Sequence, residues 1–155
     1  MTLLVLFSLA VFATYLIIMA RNYGVQPSIS DNFYVSKQPW VFTAVFWIVA
    51  FCMAPAMIDA APEDWQFTGF LAGAGIAFVG AAAAYKQSLT NTVHIAGAAT
   101  AGLFSIIWAY TVCPPLPTLA IITAAYLLVA RPRHKVYWIE LTAFIMTYIT
   151  YFIGS

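Results

Sequence analysis

The chain has 155 residues, of which 64% are hydrophobic and 7% charged; a soluble domain is nearer 45–50% apolar and about 25% charged. That composition, with a mean hydropathy of +0.91, excludes a soluble domain with a single anchor and indicates an integral membrane protein. The formal net charge of +1, with no long Lys/Arg run, supplies no field for nucleic acid, and none is expected as a partner.

Six hydrophobic segments predict an all-α, polytopic bundle of six transmembrane helices, a single domain over residues 1–155. The first covers residues 1–20, about enough to cross the hydrocarbon. It lacks a basic n-region and a small-residue cleavage site, so it reads as a retained helix and not as a signal peptide. The longest polar loop follows, residues 21–38. The second segment, residues 39–58, starts at Pro39, a residue suited to a first helical turn, and carries Pro55, expected to kink its far end. An acidic turn with Asp59, Glu63 and Asp64 leads to the third segment, residues 67–85. Here Gly69-x-x-x-Gly73 forms a face of small residues that lets helix backbones approach closely, inside the bundle or as a homo-oligomer seam. The fourth segment, residues 92–112, ends at the breaker Cys113-Pro-Pro-Leu-Pro117. The fifth, residues 118–130, is short for a span, and the sixth covers residues 136–153.

Charge orders these segments. Arg21 and Lys37 lie in the first loop, Lys86 in the third, and Arg131, Arg133 and Lys135 in the fifth. Asp59, Glu63 and Asp64 lie on the other side. The positive-inside rule makes the odd loops cytoplasmic and leaves both termini outside. Trp40, Trp65 and Trp138 fall near segment ends, where aromatic belts form. Cys52 and Cys113 have no CxxC spacing and read as free thiols packed as small hydrophobes.

The stretches that span lipid keep only two ionisable side chains, His94 and Glu140. A charge at the centre of a membrane helix costs roughly 2.5–3.5 kcal/mol on insertion scales, so such residues usually face a protein interior and serve a function. Glu140 lies about 7–8 Å along its helix from Lys135, at 1.5 Å per residue. Helical spacing places Thr90, His94, Gly97, Ala98, Ala101 and Ser105 on one small, polar face, expected to point into the bundle. Lys86, Thr90 and Asn91 lead into that face. Ser28, Ser30 and Asp31 lie in the first loop, on the same side. The expectation is a polar pocket near one leaflet, with Ser28, Ser30, Asp31, His94 and Glu140 as candidate catalytic groups and Lys86, Thr90, Asn91, Gly97 and Ala98 lining it.

Each feature also has a plainer reading. Ser28-x-x-Asp31 is the spacing of a helix cap, and Thr90, Asn91 or Thr92 suits the cap of the fourth segment. His94 and Glu140 would make a structural bond between helices, worth about 0.6–2 kcal/mol. Ser, His and a carboxylate are the parts of a nucleophile–base–orienter set, but no nucleophile-elbow motif accompanies them. His94 and His134 are the two histidines and show no metal-ligand spacing. No metal or other cofactor is expected.

At these residues the chain resembles the Frag1/DRAM/Sfk1 family of six-span membrane proteins. Pro27-Ser-Ile-Ser-Asp31 is similar to that family's first-loop signature. Val79-Gly80 through Tyr85, followed by Val93-His94-x-x-Gly97-Ala98, is similar to its pattern between segments three and four, and Trp138-Ile-Glu140 to the Glu near a Trp in its last span. The resemblance implies a function connected with lipid and marks Ser28, Ser30, Asp31, His94 and Glu140. It also implies a first loop on the lumenal or exterior face, opposite to the side the charge bias indicates.

Three functions follow as expectations. The first is a lipid-binding or lipid-modifying protein with membrane lipids as partners, turnover and binding without chemistry both being open. The second is a small transporter or channel using the His94/Glu140 pair; the six segments show no inverted repeat of the kind many transporters have. The third is a non-catalytic subunit of a membrane complex.

Overall fold

The computed structural model describes the backbone of residues 1–82 and 88–154, and the side chains outside 82–91. Among these residues the protein is all-α, with seven helices: α1 (Thr2–Tyr23), α2 (Asn32–Val35), α3 (Trp40–Ala60), α4 (Gln66–Ala82), α5 (Ser88–Val112), α6 (Pro115–Ala130) and α7 (Lys135–Gly154). A 3-10 turn, Glu63–Trp65, precedes α4.

Four stretches are long and apolar enough to cross a membrane: α1, α3, α7 and the Thr92–Val112 part of α5. The protein is therefore a multi-pass helical bundle. The other two expected spans are shorter. At 1.5 Å per residue, α6 and the described part of α4 extend only about 24–26 Å, against roughly 30 Å of hydrocarbon. Outward-facing Leu3, Phe51 and Val129 are 82%, 72% and 82% exposed. This inside-out pattern has a direct cause in lipid, where apolar surface needs no covering.

Consecutive long helices run in alternating directions. A Cβ on Gly69 would meet Met57, one on Gly73 would meet Ala54, and one on Gly80 would meet Phe46, so α3 and α4 are antiparallel and their backbones nearly touch. On another side of α4, a Cβ at Gly75 would fall 2.8 Å from the Gly97 carbonyl and 2.5 Å from the Ala101 amide of α5. The Gly69-x-x-x-Gly73 face is thus occupied within the chain by α3. Close approach also exposes backbone acceptors: Thr43 Oγ1 donates to the Gly80 carbonyl at 3.0 Å.

One expectation at a proline is modified. The breaker after α5 also starts the next helix: α6 begins at Pro115, and only Cys113 and Pro114 separate it from α5. Proline has no N–H, and the first helical positions need none, so the residues that stop one helix begin another. α3 continues through Pro55 to Ala60.

The core ties α1, α3 and α7 through aromatic rings. Phe12 lies 4.5 Å from Phe144 and Phe42 stacks on Phe46 at 4.2 Å, centroid to centroid. Trp108 is fully buried and its indole donates to the Met57 carbonyl at 2.7 Å. Near the end of α3 that carbonyl loses its usual partner, because the Ala61 amide bonds Ile58 instead; the indole satisfies it. Trp40, Trp65 and Trp138 are exposed at helix ends.

Candidate functional site

The chain between α1 and α2 folds back onto the start of α7. The Tyr137 amide, in the first turn of α7, donates to the Pro27 carbonyl at 3.1 Å. The Ile29 amide donates to Glu140 Oε2 at 2.6 Å. A helix's first amides have no intrahelical acceptor, and here the loop supplies one while α7 returns a carboxylate to the loop.

Ser28 and Asp31 hold that loop in shape. Asp31 Oδ2 accepts from the Ser28 amide at 3.0 Å and from Ser28 Oγ at 2.9 Å, and the Asp31 amide donates to Ser28 Oγ at 3.2 Å. This is the reciprocal pairing of a capping box, placed in the turn that leads into α2. Ser28 and Ser30 hydroxyls lie 3.0 Å apart. Ser28 and Asp31 therefore act on the loop, and the candidate site keeps Ser30.

Below the loop lies a cavity of about 250 Å³. Ile29 and Ser30 cover one end, and His94 and Glu140 stand beside them. Phe46, Val49 and Met53 of α3 with Ile76 and Val79 of α4 form the back wall. α5 contributes Ala98, Ala101, Gly102 and Ser105, and α7 contributes Ala143, Phe144, Thr147 and Tyr148. From Glu140 to Tyr148 the shaft extends about 12 Å along α7, at 1.5 Å per residue. It is polar at the loop end and mostly apolar below. At the deep end Tyr148 is held by a buried 2.6 Å hydrogen bond to Ser8 of α1. The Thr147 hydroxyl is spent on the Ala143 carbonyl at 2.8 Å.

The His94 ring faces the Val79 backbone carbonyl, and among the described residues its Nδ1 is buried without a hydrogen-bond partner. An unpartnered buried polar atom is costly, so it is a place where a guest would be stabilised. Among the described residues Nδ1 of His94 makes no bond to Glu140, whose Oε2 accepts from Ile29. Glu140 thus makes a helix-to-loop bond that the spacing did not predict. Nor, among the described residues, does Nδ1 of His94 bond Ser28 or Ser30, whose hydroxyls pair with each other. The geometry assembles groups that can hold a ligand, with no nucleophile–base pair formed. Among the described residues no three His, Cys, Asp or Glu side chains gather as a metal site.

Of the lining residues expected from sequence, Ala98 lines the cavity, whereas Gly97 is buried against α4 beside Phe78 and Gly75. Lys86, and the side chains of Thr90 and Asn91, lie outside the described residues. Sequence reasoning missed the α7 wall and Gly102. The signal was there: Glu140, Ala143, Phe144, Thr147 and Tyr148 follow the i, i+3, i+4 spacing of one helix face. Gly102 continues the Ala98 face one turn on. Comparison with protein-family models, curated proteins and solved structures finds no match.

Proposed function

We propose that the protein is an integral membrane protein that binds a membrane lipid in the cavity between α3, α4, α5 and α7. The observation that carries this reading is the cavity's polarity: Ser30, His94 and Glu140 at one end, and a shaft of Phe46, Val49, Met53, Ile76 and Phe144 beyond. That division matches an amphiphile, with a head group at Nδ1 of His94 and a hydrocarbon chain below. Apolar pockets with a few convergent polar groups are the usual form of small-molecule sites.

In this reading α4 and α6 also cross the bilayer, completing six spans, with the short α6 beside locally thinned lipid. The basic loops, and with them the polar end of the cavity, then lie at the cytoplasmic leaflet. The likeness of the Pro27–Asp31 turn and of Glu140 to the Frag1/DRAM/Sfk1 family supports lipid as the ligand class, by association only. The apolar shaft favours lipid over an ion or a polar solute.

The test is lipid retained through gentle detergent purification, read by native mass spectrometry. Wild-type protein should carry bound lipid, and His94→Ala and Glu140→Gln should each carry less while staying folded. Unchanged lipid in both variants would end the proposal.

A further inference from the structure

Which lipid the cavity takes, and from where, can be argued from its walls; the inference rests on the lipid reading above. The loop end is closed. Ile29 is 1% exposed and its amide is bonded to Glu140, so the turn sits over the head-group end as a cover. The back is closed by α3 and α4, whose backbones touch at Gly69 and Gly73. α5 is pinned to α4 at Gly75 and Gly97.

The remaining side lies between α5 and α7. These helices meet at their far ends, where a Cβ on Gly154 would collide with Val112. Nearer the loop end three of their cavity-lining residues are small, Ala98 and Gly102 on α5 and Ala143 on α7, with Ile139 and Phe144 on either side of Ala143. Ala98 and Ala143 are exposed, and a Cβ on Gly102 would have nothing within 4 Å. Small side chains leave an open seam where larger ones would seal the two helices.

The chemistry of the head-group end narrows the guest. Among the described residues, no Lys or Arg lines the cavity, while Glu140 does and Asp31 stands in the covering turn. Among the described residues an anionic head would meet carboxylates and no cation. A head with more than one hydroxyl can donate to a carboxylate oxygen and also satisfy the buried Nδ1 of His94. The volume, about 250 Å³, lies below the roughly 300–1,000 Å³ of typical drug-sized pockets, which suits one acyl chain and not two.

We infer that the cavity takes a single-chain amphiphile with an uncharged hydroxyl head, entering from the bilayer through the seam formed by Ala98, Gly102 and Ala143.

The experiment is photo-crosslinking of the purified full chain in liposomes with three diazirine probes: a monoacylglycerol, a fatty acid and a diacyl phosphatidylcholine. The monoacylglycerol should label α5 and α7 peptides at the cavity and be displaced by the same molecule unlabelled. Gly102→Leu and Ala143→Phe should each cut that labelling by about tenfold, whereas Leu103→Ala, on the outward surface of α5, should leave it unchanged. If one seam variant fails to fold, the other carries the test. Equal labelling by the fatty acid would overturn the head-group assignment. Stronger labelling by phosphatidylcholine would overturn the single chain yet leave the lipid reading standing. Full labelling in the folded seam variants would overturn entry between α5 and α7. No cavity labelling by any probe would overturn both this inference and the lipid reading.

Discussion

The Ile29 amide and the Glu140 carboxylate, far apart in sequence, meet at 2.6 Å. That bond joins the first loop to the last helix and places a carboxylate at the cavity's head. Glu140 therefore has two tasks, and substitution separates them. Glu140→Ala leaves the buried Ile29 amide without an acceptor and should cost roughly 1–3 kcal/mol. Glu140→Gln keeps an amide oxygen for that bond and should lose less. Thermal unfolding in detergent checks the order; equal losses would show that the bond contributes nothing.

Two glycines with opposite surroundings predict opposite outcomes. A Cβ at Gly75 would fall 2.5 Å from the Ala101 amide nitrogen, a backbone atom that only a helix shift can move. Gly75→Ala should lower the melting temperature strongly. Gly102 has open space at the same test, and Ala is favoured over Gly within a helix by about 0.5–1 kcal/mol. Gly102→Ala should be neutral or stabilising. Melting curves of the two variants, side by side, decide it.

Trp108 serves the fold through its indole as well as its bulk. Trp108→Phe keeps an aromatic ring but leaves the Met57 carbonyl without its 2.7 Å donor. The expected loss is about 1–3 kcal/mol for the orphaned acceptor, plus the volume removed. Amide hydrogen exchange should rise at the end of α3, near Ile58 and Ala60, before it rises elsewhere. Uniform loss of protection would argue for a packing role alone.

Ser8 and Tyr148 bond at 2.6 Å in the buried interior. A double-mutant cycle with Ser8→Ala and Tyr148→Phe should return a coupling of about 0.6–1.7 kcal/mol, from the average to the upper end of such cycles between membrane helices. Tyr148 lines the deep end of the cavity, so Tyr148→Phe should leave head-group binding intact. Its effect belongs to stability and to the depth of the shaft.

How much of this was readable in the chain depends on which physics governs each element. That long apolar helices recur along the chain follows from hydrophobic run length, a local property, and four of the six expected spans are long enough to cross a membrane. The inward face of His94, Ala98, Ala101 and Ser105 follows from helical spacing, and the structure places all four at the cavity. The partner of Glu140 did not follow from spacing. Sequence pointed to His94, whereas the bond that Glu140 Oε2 makes comes from the backbone amide of Ile29; backbone donors carry no residue-type signature. Ser28 and Asp31 illustrate the reverse. Their spacing announced a capping box, and that plainer reading is the one their hydrogen bonds display. The proline run after Val112 was read as a stop alone, although the same chemistry serves a helix start.

The central claim is that an amphiphile occupies the shaft with its head at His94. A crystal structure of the protein grown from phospholipid bicelles tests this directly. The account predicts elongated density between α3, α5 and α7, ending within hydrogen-bond distance of His94 Nδ1 and beside Glu140. A shaft closed by repacked side chains, or density confined to the outer surface of the helices, would contradict it.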